Sequence, residues 1–336
     1  MKVSVIIPNY NRAAIVGDTI ENMLRQSLRP YEVIVIDDGS TDDSVSVIRS
    51  FGGRVHLIQQ QNQGPGAARN AGLKVASGQF IQLMDSDDLA SLNKLETQAQ
   101  ALIENRADIA YSPWAKVFIK KDSVELQDTV LQQQQLPISK TPVGHFLTGW
   151  SVVLQQCLLS ALLVKRVGFY RTDMWTCDDS DFFLRMLLLK PKLAFSDASL
   201  TLYRQDDYGK VTASGATDIK RVEDWGRFLV SAYQGVNQHP WVQHSINQPK
   251  FLINVWKTLT LLEQFGSSDR ALIRQLSEFL SVHSSIFPLS IYSRFSEILK
   301  GVQQRVKGHR WPSAYQSGTV TVHQKTLLRE LGFSVV

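Results

Sequence analysis

Four short strand-like runs, each followed by a stretch of helical character, fill the first hundred residues and leave little choice of architecture. Val3–Ile7 is closed by Pro8, and Val33–Ile36 stops at Asp37-Asp38-Gly39-Ser40. Val55–Ile58 and Phe80–Met84 complete the set. Between them Ile15, Val16, Ile20, Met23 and Leu24 recur at helical spacing, with Asn11 placed as a cap. Asp42–Ser50 reads as a short helix, and Ala67–Ala76 as an Ala-rich one after the Gly64–Gly66 break. Apolar strands joined by helical crossovers make right-handed βαβ units and a mostly parallel sheet. Such a sheet binds ligands at the carboxyl edge of its strands.

The pattern continues with a helix over Leu92–Asn105 and strands at Ile109–Ser112 and Lys116–Lys120. Residues 122–145, with their LQQQQL run, read as a mobile loop over the site. Val152–Val164 mixes helix and strand, Asp178–Leu189 is helical, and Leu200–Arg204 closes the α/β part as a strand. Beyond about residue 217 helical periodicity dominates, through Phe228–Tyr233, Phe251–Phe265 and Ala271–His283. The expected division is an α/β domain at 1–215 and a helical region at 216–336 for acceptor, membrane or oligomer contacts.

At 336 residues, 43% hydrophobic and 20% charged, the chain has the composition of an ordinary folded protein. No run approaches the roughly 18–20 apolar residues of a membrane span, and the N-terminal apolar stretch is too short for a signal peptide. Cys157 and Cys177 form no CxxC, so neither a disulfide framework nor a zinc site is indicated, and a cytoplasmic setting is expected. The net charge of +5 favours anionic partners. No nucleic-acid-binding motif accompanies it, so no nucleic acid is expected. Between 290 and 310, Ile291, Phe295, Ile298, Leu299 and Val302 share a face, with Arg294, Lys300, Arg305, Lys307 and Arg310 elsewhere. A helix of this kind lies peripherally on an anionic bilayer, here the inner face of the membrane, or packs on its own domain.

Three loops fall at one sheet edge: Pro8-Asn9-Tyr10-Asn11, Asp37–Asp42 and Asp85–Asp88. The first lacks the GxGxxG of a dinucleotide fold, and no GxxxxGK[ST] occurs anywhere. Hydride transfer and P-loop phosphoryl transfer are therefore disfavoured. Asp85, Asp87 and Asp88 put hard oxygen donors where Mg²⁺ or Mn²⁺ binds. The plain alternative is a solvated acidic turn capping the next helix. Asp38 can accept the N–H of a pyrimidine ring beside Tyr10, or simply cap.

VSVIIPNYNR at 3–12, VIVIDDGSTDDS at 33–44, NQGPGAARNAGL at 62–73, FIQLMDSDD at 80–88 and CDDSDFFLRML at 177–187 occur in this order. Together they resemble the motifs of family 2 glycosyltransferases. The resemblance implies a GT-A fold: a Rossmann-like, mostly parallel nucleotide-binding sheet flanked by helices. It also implies an inverting enzyme that moves a sugar from a nucleotide-diphosphate sugar, a UDP-sugar first, to a saccharide or lipid-linked acceptor. Polysaccharide or cell-surface glycan synthesis is the commonest use of such enzymes.

In that reading Asp38 contacts the base beside Pro8 and Tyr10, with Arg12, Gly64, Arg69 and Ser86 also on the nucleotide sugar. Asp85 and Asp87 form a DxD pair, Asp85 toward the ribose and Asp87 as the direct ligand of Mn²⁺ or Mg²⁺ with Asp85 as its partner, and Asp88 supporting them. The family's Glu-Asp before a helix reads here as Asp178-Asp179. Asp179 is the base and Asp178 its neighbour, while Asp181 caps or packs. Arg204 reaches the diphosphate, and Trp175 either stacks on an acceptor sugar or is core. The competing function is a non-catalytic nucleotide-sugar-binding module of the same fold.

Overall fold

The structure, a computed structural model, describes residues 1–120, 123–126, 130–132, 136, 141–149, 152–205, 219–283, 317–319, 322–331 and 334–335. The four runs become β1 (Val3–Asn9), β2 (Glu32–Asp37), β3 (His56–Gln59) and β4 (Phe80–Leu83). All three pairings among them are parallel, with Ile6 level with Ile34 on one side and Leu83 on the other. The sheet continues through β10 (Cys157–Ser160), β6 (Ile109–Tyr111) and β11 (Leu193–Phe195), giving the order β11-β6-β10-β4-β1-β2-β3. Only β10 runs antiparallel to its neighbours. The expectation of a mostly parallel sheet flanked by helices holds.

The core follows from alternation along β1. Val3, Val5 and Ile7 are fully buried together with Val16, Ile20 and Met23 of α1 (Val16–Leu24) and Leu95, Ala99 and Leu102 of α4 (Lys94–Glu104). Each of these side chains other than Ala99 contributes about 1.5–3 kcal/mol of burial free energy. The other face of the sheet meets α3 (Pro65–Val75). A Cβ on Gly72 would lie 2.5 Å from Ile6 Cγ2 and 2.8 Å from Ile36 Cδ1, so only glycine lets this helix lie so close to β1 and β2.

A second seven-stranded sheet has β5 (Leu89–Ala90), β12 (Thr201–Arg204), β7 (Trp114–Lys120), β9 (Val130–Gln132) and β13 (Ser317–Thr319) in line. β8 (Ser123–Leu126) pairs with β7, and β14 (Ser334–Val335) pairs with β8. Because β5 directly follows the Asp85–Asp88 loop and pairs with β12, Arg204 is brought beside that loop. Leu327 and Leu328 of the helix at Val322–Glu330 pack with Leu89, Val117 and Leu202.

Two compact units result. The first combines Met1–Gln135, Val152–Ala213 and Gln316–Val336 and carries both sheets. The second combines Leu136–Ser151 with Ser214–Tyr315. It holds helices at Pro142–Leu147, Ile219–Asn237, Pro249–Gln264 and Arg270–Val282. Residues 136–151, on the near side of a cut at 215, therefore group with the helices, and 316–336 group with the sheets.

Two local expectations are corrected. Asn11 does not cap α1, which begins at Val16 without a side-chain cap. It adopts φ +50°, a conformation Asn tolerates, and its Oδ1 accepts from the Thr41 amide at 2.7 Å. The stretch 122–145, expected as one loop, contains β8, β9 and a helical turn where described, and most of its Gln run lies outside the described residues. The basic segment 290–310 also lies outside them. Among the described residues no helix is long and apolar enough to cross a membrane.

Candidate active site

The first two loops are tied into one ledge by Asp37. Its Oδ1 accepts from Asn9 Nδ2 at 2.9 Å and Ser40 Oγ at 2.6 Å, and Ser40 Oγ in turn accepts from the Asn11 amide. Pro8 and Tyr10 stay at the end of β1, Pro8 level with Ile36 and Tyr10 exposed. Asp38 turns the other way and is buried. Its carboxylate accepts from Gln60 Nε2 at 2.7 Å, the Gln63 amide at 3.0 Å and the Gly64 amide at 2.8 Å. Three of about four lone-pair positions are thus spent on the loop before α3.

Gly64 begins α3 with φ +89° and ψ 167°, a region open essentially to glycine alone. A Cβ there would lie 3.1 Å from Trp175 Cε2. The half-exposed Trp175 indole therefore lies directly on the Gly64 backbone.

Arg69, one turn further along α3, is the hub. It is buried, and Nη1 donates to Asp178 Oδ2 at 2.8 Å while Nη2 donates to Asp85 Oδ1 at 2.8 Å. Nη2 also lies 3.4 Å from Asp179 Oδ2. Asp178 and Asp179 open α7 (Asp178–Leu188), where the helix N-terminus favours negative charge. Asp178 is buried, whereas the Asp179 side chain remains 31% exposed, although its Oδ1 atom is not. Of the two, Asp179 is the one an incoming group can reach. Asp181 is fully buried and accepts from Arg185 Nε at 2.8 Å, a packing contact.

The electrostatics follow from three carboxylates around one guanidinium. Burial opposes the charge on Arg69, but Asp179, Asp85 and Asp178 together outweigh it and hold it firmly charged. Burial pushes the Asp178 carboxyl up, to about 7, with Arg69 pulling it down and Asp179 pushing it further up. Asp179 is raised for the same first reason, with Arg69 again opposing and Asp85 adding to the rise.

The Asp85–Asp88 loop is braced from three sides. Gln155, buried in a 3-10 turn at Leu154–Gln156, donates through Nε2 to both Asp85 Oδ2 and Asp88 Oδ2. Asp88 Oδ1 accepts from the Arg204 amide at 3.0 Å. The Arg204 guanidinium reaches the Asp87 carbonyl at 3.0 Å and Asp18 Oδ2 at 3.2 Å. Arg12 Nε lies 3.8 Å from Asp87 Oδ2. Ser86 between these residues is buried. Carboxylate oxygens of Asp85, Asp87 and Asp88 come within 4.8 Å of one another. This all-oxygen donor set fits a hard divalent cation. Asp88 is the most committed of the three to the protein itself.

Apart from Pro8, Tyr10 and Ser86, the predicted residues gather into three contacting groups. Asp85, Asp178 and Asp179 meet on Arg69, Asp87 meets Arg12 and Arg204, and Asp38, Gly64 and Trp175 form the third.

Residues 4–163 match the family model described as Glycosyl transferase family 2. Those residues belong to that family. The chain is similar to "Glycosyltransferase GlyG" of Streptococcus pneumoniae, 29% identical over 246 residues that cover 69% of this chain and 78% of that protein. An "Uncharacterized glycosyltransferase" of Rickettsia felis is 40% identical over 126 residues, 37% of this chain and 21% of that protein. The match spans only about a fifth of the length of the first such relatives. The fold is similar to S. aureus TarS 1-349 in complex with UDP-GlcNAc, with a TM-score of 0.55 and 16% identity, covering 87% of this chain and 92% of that one. It also resembles the mannosyltransferase PcManGT from Pyrobaculum calidifontis in complex with GDP-Man and Mn²⁺, with a TM-score of 0.51, 15% identity and coverage of 98% and 85%. These likenesses establish a GT-A glycosyltransferase fold.

Three residues of this family 2 site escape the sequence reading. Gln155 carries one legible signal, a Gln-Gln pair interrupting the apolar run VVLQQCLL. Asn70, in the same ARN triplet as Arg69, clamps the backbone of Tyr170 by donating to its carbonyl at 2.9 Å and accepting from its amide at 2.8 Å. Tyr170 has no signal of its own, because only the fold places it against Asp179.

Proposed function

We propose that this chain is an inverting, cation-assisted glycosyltransferase. It moves a sugar from a nucleotide-diphosphate sugar, a UDP-sugar first, to a hydroxyl of a saccharide or lipid-linked acceptor in glycan assembly. The observation that carries this is Arg69: one buried guanidinium ties a reachable carboxylate, Asp179, to the acidic loop that suits a diphosphate-bound cation. A base and a leaving-group site joined so closely suit displacement at one carbon. The relatives' names and the UDP-GlcNAc and GDP-Man held by fold neighbours support a nucleotide-sugar donor.

In this reading Tyr10 and Asp38 form the base end of the cleft, and Asp87, with Asp85, would hold Mn²⁺ or Mg²⁺. Bound there, the cation would supply neutralisation of the diphosphate's charge. The acceptor hydroxyl gives its proton to Asp179 Oδ2 as its oxygen bonds to the anomeric carbon. The bond from that carbon to the diphosphate oxygen breaks on the opposite face, so the configuration inverts. The raised pKa of Asp179 makes it a stronger base once ionised. Trp175 offers a flat apolar face for the acceptor, and residues after 215 are assigned to acceptor, membrane or oligomer contacts.

The test is Asp179→Asn. Nucleoside diphosphate release from a panel of nucleotide sugars with Mn²⁺ should fall by roughly a hundredfold or more. The rise in melting temperature caused by the best donor should persist. A variant that transfers at the parent rate would remove Asp179 from the role of base.

A further inference from the structure

Tyr170 is fixed by more contacts than a connecting residue needs. Asn70 holds its backbone on both sides, as described above. Its ring stacks on Phe182 with centroids 4.0 Å apart and planes 9° from parallel. The guanidinium carbon of Arg69 lies 5.5 Å from the centroid of the same ring.

The hydroxyl is the exception. It is buried and has no hydrogen-bond partner among the described residues, and Asp179 Oδ1 is in the same condition. Phe182 lies three positions after Asp179 on α7, so both project from one helix face. A ring lying on Phe182 carries its hydroxyl toward Asp179, and each group bears on the other's ionisation. A buried donor and a buried acceptor are costly left apart and favourable once joined. With Oδ1 buried, an acceptor can deliver its proton only to Oδ2.

We propose that Tyr170 is a positioning residue for Asp179, its hydroxyl donating to Oδ1 in the reacting enzyme and so holding Oδ2 toward the acceptor. This rests on the reading of Asp179 as the base. The Tyr170 proton stays on its own oxygen throughout; the proton transferred is the acceptor's, and it goes to Oδ2. A hydroxyl donating to a carboxylate favours the ionised form, so removing it makes Asp179 titrate at higher pH. The other groups bearing on Asp179 are Arg69 from α3, Asp178 on α7, Asp85 after β4 and the Cys157 thiol of β10. Tyr170→Phe alters none of them and keeps the stacked ring.

The test uses the full chain with ¹³C-labelled aspartate carboxyls, titrated by NMR as parent, Tyr170→Phe and Asp179→Asn, the last assigning the Asp179 signal by its loss. An unchanged melting temperature for Tyr170→Phe shows that packing is retained. Asp179 should titrate at higher pH in Tyr170→Phe than in the parent. With UDP-GlcNAc and GDP-mannose as probes, kcat for nucleoside diphosphate release should fall about tenfold at unchanged donor KM. The same titration midpoint in both proteins would overturn the proposal. Parent-rate turnover by Asp179→Asn would instead remove the base, and the positioning role with it.

Discussion

Arg69 and Asp178 form a buried ion pair at 2.8 Å across 109 residues of chain, and the same guanidinium holds Asp85 at 2.8 Å. Replacing it with methionine leaves three neighbouring carboxylates without their cation. Breaking a buried pair in this way costs about 3–5 kcal/mol. The loss should be full at pH 8 and smaller at pH 5, where protonation relieves the repulsion. Urea unfolding at the two pH values measures it, and an equal loss at both would show that Arg69 does not govern the cluster. Arg69→Lys should fold better than Arg69→Met yet turn over donor poorly, because a point charge cannot reproduce the two-armed fork.

The raised carboxyl of Asp178 sets a stability slope. A carboxyl whose folded pKa lies above its unfolded one is favoured in the fold while protonated. Its contribution is therefore present below about pH 4, the ordinary carboxylate range, and is lost as pH rises through about 7. Asp178→Asn keeps an oxygen acceptor for Arg69 and cannot titrate, so its melting temperature should fall less than the parent's between pH 4 and 7. One group supplies at most about 1.4 kcal/mol per pH unit. Parallel pH curves for the two proteins would show that Asp178 is ionised throughout.

How far these features can be read beforehand depends on the range of the contact. The parallel sheet is legible because strands covered on both faces are near-continuous apolar runs, as in Val3–Ile7 and Val33–Ile36. The Asp85–Asp88 loop is legible because its donors are adjacent. Arg69 stands out as a basic residue of the site, but its service to both acidic motifs depends on how α3 and α7 come together. Gln155 acts 70 residues from Asp85, and no local pattern encodes that. Asn11 shows the same limit, since its side chain is taken by Thr41, 30 residues away, and α1 begins only at Val16.

Asp87 and Asp88 should separate cleanly. Asp88 is fully buried and binds Gln155 Nε2 at 3.1 Å and the Arg204 amide at 3.0 Å. Asp88→Ala strands the Arg204 amide and leaves Gln155 Nε2 with Asp85 alone, and should cost about 1–3 kcal/mol. Asp87→Ala should change melting by far less while abolishing the rise produced by Mn²⁺ with UDP. Thermal melts with and without both ligands decide the matter. An Asp87→Ala protein that keeps the full Mn²⁺ response would assign the cation elsewhere.

Gly64 and Trp175 should be coupled, but only in part. At φ +89° and ψ 167° an alanine is strained by about 1–3 kcal/mol whatever surrounds it. In the parent it also presses a Cβ to 3.1 Å from the indole. Trp175→Ala, which removes a half-exposed ring, should cost little stability on its own. In that background Gly64→Ala should become less damaging by the relieved contact, a coupling of about 0.5 kcal/mol or more, yet remain destabilising through strain. A double-mutant cycle by urea unfolding reads both parts. If the ring also carries the acceptor, Trp175→Ala should leave the donor-induced rise in melting temperature intact and weaken saccharide binding measured by NMR. A variant that lost donor binding instead would place the indole over the nucleotide.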